Sequence, residues 1–550
     1  MFCLTNVAAS RNNHPQLIDS GVMNLMAGLI ENPDIEIRNS AAFFVANMSS
    51  NSVNHEIIMH EGCLGPLIAF AASEDPQAQL RAVSALRGLS TDETLRKEIV
   101  QRDGLAPLLK LTKTEDVEVQ MEVLSALCNL SLCGCIGDNP LSFLENVDVS
   151  NLVSFLCSAD TTYRLFGAVT IGNIASNIGL QKPLTKSGAL QPLITVANAA
   201  DLETQRCIAY SLVNLCADEG NRANIVSEGG LPPIISLACS EDYNDKKAGL
   251  ATIRGLSASP EARRAIIVSG ALEALSLGAH CDGDVVCRRE SATAICALSL
   301  NEENKVDMAN SSILADIVML AQSGDVTCSR QAIGAIANLT ENEDTHVKLL
   351  GEWGAGFLVP LLEMPDIGLA REVTRCLTNL AGNYTTHDML IEAEVPLGLA
   401  KALHNTDAVA CRFAILGLLN LSTQTKNHAK LISSGSISPL IELVGGAHRE
   451  FITLKPDGTR TTNDKEDMDY RAFQTLGYDL QCRRYACLAV GNMSANVENH
   501  KVLLEHDVLG HISSALDVDD LETRFNACFA LNKLSMNDDI ITLIGEHESR

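Results

Sequence analysis

The sequence predicts an all-α solenoid: about twelve three-helix repeats stacked over residues 1–550 as one array. Three observations predict it. An asparagine-centred phrase returns at a near-constant spacing down the chain, and a period of this size is the signature of stacked supersecondary units. The periodic apolar positions hold Ala, Leu, Ile, Val and Cys, while aromatic residues are only 4% of 550, which suits closely packed helices. Each copy also reads in one order: a short helix stopped by glycine, a second helix, a polar loop and a long third helix.

The phrase ends at Asn6, Asn47, Gly88, Asn129, Asn173, Asn214, Gly255, Ala297, Asn338, Asn379, Asn420, Asn492 and Lys533. Most steps are 41 residues, with one of 42, one of 44 and one of 72, the last being 41 plus an insertion of 31. The copy from Asn221 to Ser257 shows the elements. NRANIVSEGG is a helix ended by Gly229 and Gly230, LPPIISLAC opens with prolines in its first turn, and EDYNDKK leads into KAGLATIRGLS. The order returns around Gly188, Pro192 and Leu193, and around Gly435, Pro439 and Leu440.

A glycine, then LxPLI, then a loop, then RxxAxxALxNL resembles the armadillo family, and the pattern holds over nearly the whole chain. That resemblance implies a right-handed superhelix whose third helices line a concave groove. With the phrase-ending residue as position zero, positions −9, −6, −3, −2 and +1 are expected on the core face at about 100° per residue, and −8, −4 and 0 on the opposite, exposed stripe.

Position 0 is Asn in nine of the thirteen copies. A column of such amides presents donors and acceptors to the backbone of an extended peptide, the role the resemblance implies. The other reading is that each Asn satisfies a carbonyl at a helix end. Position −8 carries Arg206, Lys247, Arg289, Arg330, Arg371, Arg412 and Arg484. Two readings stand for this line as well. Either the acids in the loop ahead of each (Glu203, Asp245, Asp284, Asp325, Asp366, Asp407) clasp it structurally, or the guanidinium groups grip carboxylates or phosphates of a ligand.

Arg375 sits at −4, and Arg87 and Arg254 at −1. Asn338, Arg371, Arg375 and Asn379 are the expected centre of contact. Asn214, Asn420 and Asn492 extend the column, and Tyr210 is placed to stack on a ligand. Nuclear import receptors of this type resemble a WxxxN pattern, but no Trp occupies −4 here, which disfavours import of basic signals. A β-catenin-like or fungal vacuolar-scaffold-like groove for acidic or mixed segments fits better.

The insertion, residues 446–477, is expected as a polar loop between a second and third helix, with a Pro-Asp-Gly turn at 456–458. Counting back from Asn6 puts the start of its helix before Met1, and the segment after Lys533 resembles only an opening helix, so the chain reads as a fragment. The formal charge of −27 argues against general nucleic-acid binding, and no apolar run reaches membrane-spanning length. The eighteen cysteines lack a CxxC pattern and suit the cytosol or nucleus, with any membrane or cytoskeletal attachment made through partners. No catalytic, cofactor or metal motif occurs.

The expectation is a non-enzymatic scaffold that binds extended, acidic or phosphorylated segments of other proteins. The alternatives are a nucleocytoplasmic transport adaptor and the substrate-recognition arm of an armadillo/U-box ubiquitin ligase.

Overall fold

A computed structural model describes residues 1–132, 149–177, 179–197, 201–281, 285–404, 407–446, 465–537 and 540–541, without the side chains of 465–479. Among these residues every regular element is a helix. The chain forms two compact units, Met1–Ala274 and Leu275–Arg550, and each is a stack of the expected repeats. In the first, one repeat is Glu219–Ser227, Leu231–Ala238 and Tyr243–Ser257. In the second, one is Glu302–Ala309, Ile313–Ala321 and Val326–Leu339.

The third helices begin where an aspartate tells them to. Asp242 accepts from the N–H groups of Asn244 and Asp245, so the helix starts at Tyr243, a turn ahead of the KAGL run. Asp34, Asp75, Asp116, Asp160 and Asp201 do the same work in the first unit, and Asp325, Asp366, Asp407 and Asp520 in the second. An N-cap carboxylate satisfies otherwise orphaned donors and lies at the positive end of the helix dipole. It is worth about 1 kcal/mol per helix.

Consecutive third helices pack on one another within each unit. Leu377, Leu418 and Leu421 are enclosed there, each contributing roughly 1.5–3 kcal/mol. Where the third helix crosses the second most closely, position −6 is glycine, at Gly167 and Gly249. A Cβ on Gly167 would stand 2.7 Å from the Leu156 nitrogen and 3.0 Å from its Cα, and one on Gly249 would run into the Ala238 backbone.

Position −9 divides: Ala370 and Cys411 are buried there as expected, whereas other repeats place long polar side chains at it. Arg38, Gln79 and Arg164 are among these, and each donates to the carbonyl six residues earlier, on Asn32, Ser73 and Ser158. The second helix ends there with carbonyls that need donors, so a polar side chain wins over an apolar one. The insertion also differs from expectation. Lys465–Ser494 is one helix, so the latter part of 446–477 prolongs the third helix toward its N-terminus. The Pro456-Asp457-Gly458 turn lies outside the described residues.

The turn from first to second helix passes through the left-handed region. Glycine supplies it at Gly229 (φ 90°) and Gly435 (φ 76°), whereas Asp103, Glu394 and Asp507 take φ of 60°, 55° and 53°. Side chains with a Cβ are strained in that conformation. Replacing Glu394→Gly should therefore raise the stability of its unit by about 1 kcal/mol. Gly249→Ala should lower stability even though alanine is the better helix former. Urea denaturation followed by far-UV circular dichroism separates the two signs.

Candidate peptide-binding stripe

The residues at −8 are brought to the stripe, and their partners are now identifiable. Arg289 reaches Asp325 through Nε (3.2 Å) and Nη2 (2.7 Å). Arg330 holds Asp366 in the same two-pronged way (3.1 and 2.6 Å), Arg371 holds Asp407 (2.9 and 2.6 Å), and Arg484 holds Asp520 (2.9 and 2.6 Å). The acid is therefore not the one in the loop ahead of each arginine. It is the N-cap of the following third helix, 36 residues on. The long side chain points across the stack from the first turn of its own helix, and the neighbour's cap lies within reach. One carboxylate thus starts a helix and joins two repeats.

Other positions vary the scheme. Arg206 turns to Asp245 (2.7 Å), with Asp242 at 3.5 Å. Arg412 donates to Gln481 at 2.9 Å, and Lys247 lies 6.0 Å from the centre of the Tyr243 ring. Asp284, the acid in the loop ahead of Arg289, is outside the described residues. Arg87 contacts Glu122 at 2.5 Å, and Arg254 is exposed in the last turn of its helix. The Tyr210 hydroxyl donates to Asp245 (2.9 Å). Burial, then that bond, push its pKa up to about 12.

The expected centre of contact is internally engaged. Arg375 donates to Glu341 (2.8 Å), to Glu372 (2.6 Å) and to the Asn338 side-chain oxygen (2.8 Å). Asn338 is buried beneath it. The Asn338 amide in turn donates to Ser299 Oγ at 2.9 Å.

The rest of the column follows one rule: the amide nitrogen donates into the preceding repeat. Asn47 bonds the carbonyl of Thr5, Asn214 that of Gly172, Asn379 that of Ala337 and Asn420 that of Thr378. Asn129 and Asn492 bond the hydroxyls of Ser90 and Ser422. The satisfied-carbonyl reading thus describes one N–H of these amides.

A second polar set lies just beyond the ends of the third helices. Eight residues after most of the phrases, among the described residues, stands a donor that bonds the carbonyl six residues before it. His14, His55, His346, His387, His428 and His500 do so through Nε2, Gln181 through its amide, and Arg222 and Arg263 through Nε. The histidines are buried packing residues. Nδ1 of His14, His387 and His428 accepts from Asn54, Asn427 and Asn499 of the next repeat. Recurrence of histidine at 41 residues was the available signal. Lys305 holds the equivalent place, fully buried, and bonds Glu302 (2.5 Å) and Glu341 (2.8 Å) instead.

The geometry defines a class: an all-α solenoid whose third helices carry a repeated Asn and Arg stripe. Residues 92–132 match the armadillo/beta-catenin-like repeat. In structure the chain is similar to an engineered protein (TM-score 0.60, 24% identity, 72% of this chain and 98% of that one). It is also similar to a chain from a study of a phosphorylation switch controlling the interaction between cadherin and beta-catenin (TM-score 0.58, 14% identity, 97% and 100%). UNC-45 from Drosophila melanogaster gives a TM-score of 0.52 at 16% identity over 97% of this chain and 71% of that one. No curated protein sequence matches the chain. The chain carries an armadillo/beta-catenin-like repeat at residues 92–132 and shares the helical solenoid fold of these structures.

The clasps have a pH signature. The bond from Arg289 holds the Asp325 carboxyl well below the usual range, and Arg484 does the same for Asp520. A carboxyl lowered in the folded state stabilises fully above its unfolded value of about 4, and that stabilisation is lost as pH falls through and below 4. The paired variant Asp325→Asn with Asp520→Asn should narrow the gap between melting temperatures at neutral and acid pH. An unchanged gap would mean the clasps carry no charge-dependent stability.

Proposed function

We propose that the chain is a non-catalytic scaffold whose third-helix stripes bind extended, acidic or phosphorylated segments of partner proteins. The observation that carries this reading is the state of Arg289 and Arg330. Each spends Nε and Nη2 on its clasp, yet 46% and 45% of the side chain remains exposed. The carboxylate fixes the plane of the guanidinium, and the outer amino group is left to meet a ligand oxygen. Pre-fixing of this kind lowers the entropy lost on binding.

The asparagines support the backbone half of the interaction. Asn47, Asn129, Asn214 and Asn492 each make one tie to the preceding repeat. An amide has two N–H groups and an oxygen, so an N–H and the oxygen stay available for an extended chain. Arg371, Arg375 and Arg484 serve the same stripe with less of the side chain exposed, at 28%, 20% and 30%, beside Asn379 and Arg206. Sixteen described cysteines are free thiols, which favours a reducing compartment such as the cytosol or nucleus. The beta-catenin-related structure comes from work on cadherin binding, and a protein partner for this chain agrees with that precedent.

The test uses a fluorescent octaglutamate peptide and its phosphoserine counterpart with the whole chain and the variant Arg289→Gln with Arg330→Gln. Arg371 is left alone because its partner Asp407 is buried and an unpaired carboxylate there would unfold the repeat. Anisotropy titration should show binding at least tenfold weaker in the variant, with helicity retained. Equal affinity for both chains would place the ligand elsewhere and overturn the reading.

A further inference from the structure

Within the first unit a cleft of about 630 Å³ opens between the third helix Leu202–Leu215 and the second helix of the next repeat, Leu231–Ala238. It lies where the clasp scheme is broken. Arg206 turns inward to Asp245, which is only 4% exposed. That carboxylate also accepts from the Tyr210 hydroxyl at 2.9 Å and the Ser240 hydroxyl at 3.2 Å, so both of its oxygens are bonded. Asp242 is left with Arg206 at 3.5 Å as its ion partner.

The lining therefore holds three carboxylates, Glu203, Asp242 and Asp245, against one cation. Leu202, Pro232 and Leu237 supply an apolar wall, and Leu202 is 79% exposed. The volume falls in the range of ligand pockets, roughly 300–1,000 Å³. The rim residues Leu202, Glu203 and Asp242 are exposed, so an extended chain has room to cross the mouth.

We propose that this cleft is a second docking site, opposite in charge preference to the arginine stripe, that seats a basic-apolar segment of a partner protein. A ligand arginine or lysine lays its alkyl stem on Leu202 and Pro232 and points its cation between Glu203 and Asp242. A neighbouring leucine-sized side chain occupies the wall at Leu237. The excess of carboxylate over cation excludes an acidic occupant. The site is separate from Arg289 and Arg330, so its standing does not depend on theirs.

The probe is a fluorescent acetyl-(Leu-Arg)3-amide, titrated into the whole chain at about 0.15 M salt, where attraction beyond roughly 8 Å is screened. One variant, Glu203→Gln with Asp242→Asn, removes the rim charge while asparagine keeps the helix cap. A second, Ser236→Trp, fills the cleft from a lining position that is exposed to solvent. Each should weaken binding at least tenfold. The variant Arg289→Gln with Arg330→Gln should bind the probe as the unmodified chain does. The peptides (Leu-Glu)3 and (Ser-Arg)3 should bind at least tenfold more weakly than the probe. The site is refuted by no saturable binding of the probe, by affinity unchanged in Ser236→Trp, or by (Ser-Arg)3 binding as tightly, which would mean diffuse attraction to an acidic chain.

Discussion

A protein built from short helices is dominated by helix ends, and each end leaves backbone groups without partners. This chain meets that constraint with side chains set at fixed distances along the repeat. Aspartates cap the N-termini of third helices, and histidine, glutamine or arginine donors cover carbonyls where third helices end. Asparagine amides cover further carbonyls from the next repeat. The apolar core could not close over these ends if they were unpaired, because a buried polar group without a partner costs about 1–3 kcal/mol.

The same groups that close the ends also join the repeats. Asp366 caps its own helix through the Leu369 N–H and holds Arg330 of the repeat before. Asn379 ends its helix phrase and binds Ala337 of the repeat before. Stability in such an array is close to a sum of repeat and nearest-neighbour terms, and here the neighbour terms have named polar members beside the leucines. Binding chemistry and structural chemistry thus share residues on one stripe. Arg375 shows one extreme, with its hydrogen bonds directed to Glu341, Glu372 and Asn338. Arg330 shows the other, clasped on one edge and half exposed.

The fold was legible because the phrase recurs: asparagine or its substitute at 41 residues located every third helix before any contact was known. The stripe was legible in membership and not in wiring. Asp325, Asp366 and Asp407 stood out as clasp acids, yet the sequence alone did not say that each serves the arginine of the preceding repeat, since the distance between repeats is not a sequence distance. The aspartate thirteen places ahead of each phrase end, from Asp34 to Asp520, occurs in all twelve full copies and was the strongest unread regularity. Position −9 misled in its polar copies because helical periodicity assigns a face but not a helix end; Gln79 and Arg164 sit near the core angle yet are required by carbonyls. The cleft beside Arg206 was not legible, since it arises from one side chain choosing Asp245 over the cap Asp242.

The direction of the clasp bears on how such a chain grows. Each of the four clasped joints takes its arginine from one repeat and its aspartate from the next, so a repeat between two of them brings half of the joint on either side of it. Gene duplication or loss of a whole copy would then leave every remaining joint with both halves, whatever the copy number. A piece cut out of step would strand an arginine beside no acid, or an acid beside no arginine. The near-invariant step of 41 residues is what such a rule would preserve, and the 31-residue insertion tests its tolerance at one joint, where Arg412 binds Gln481.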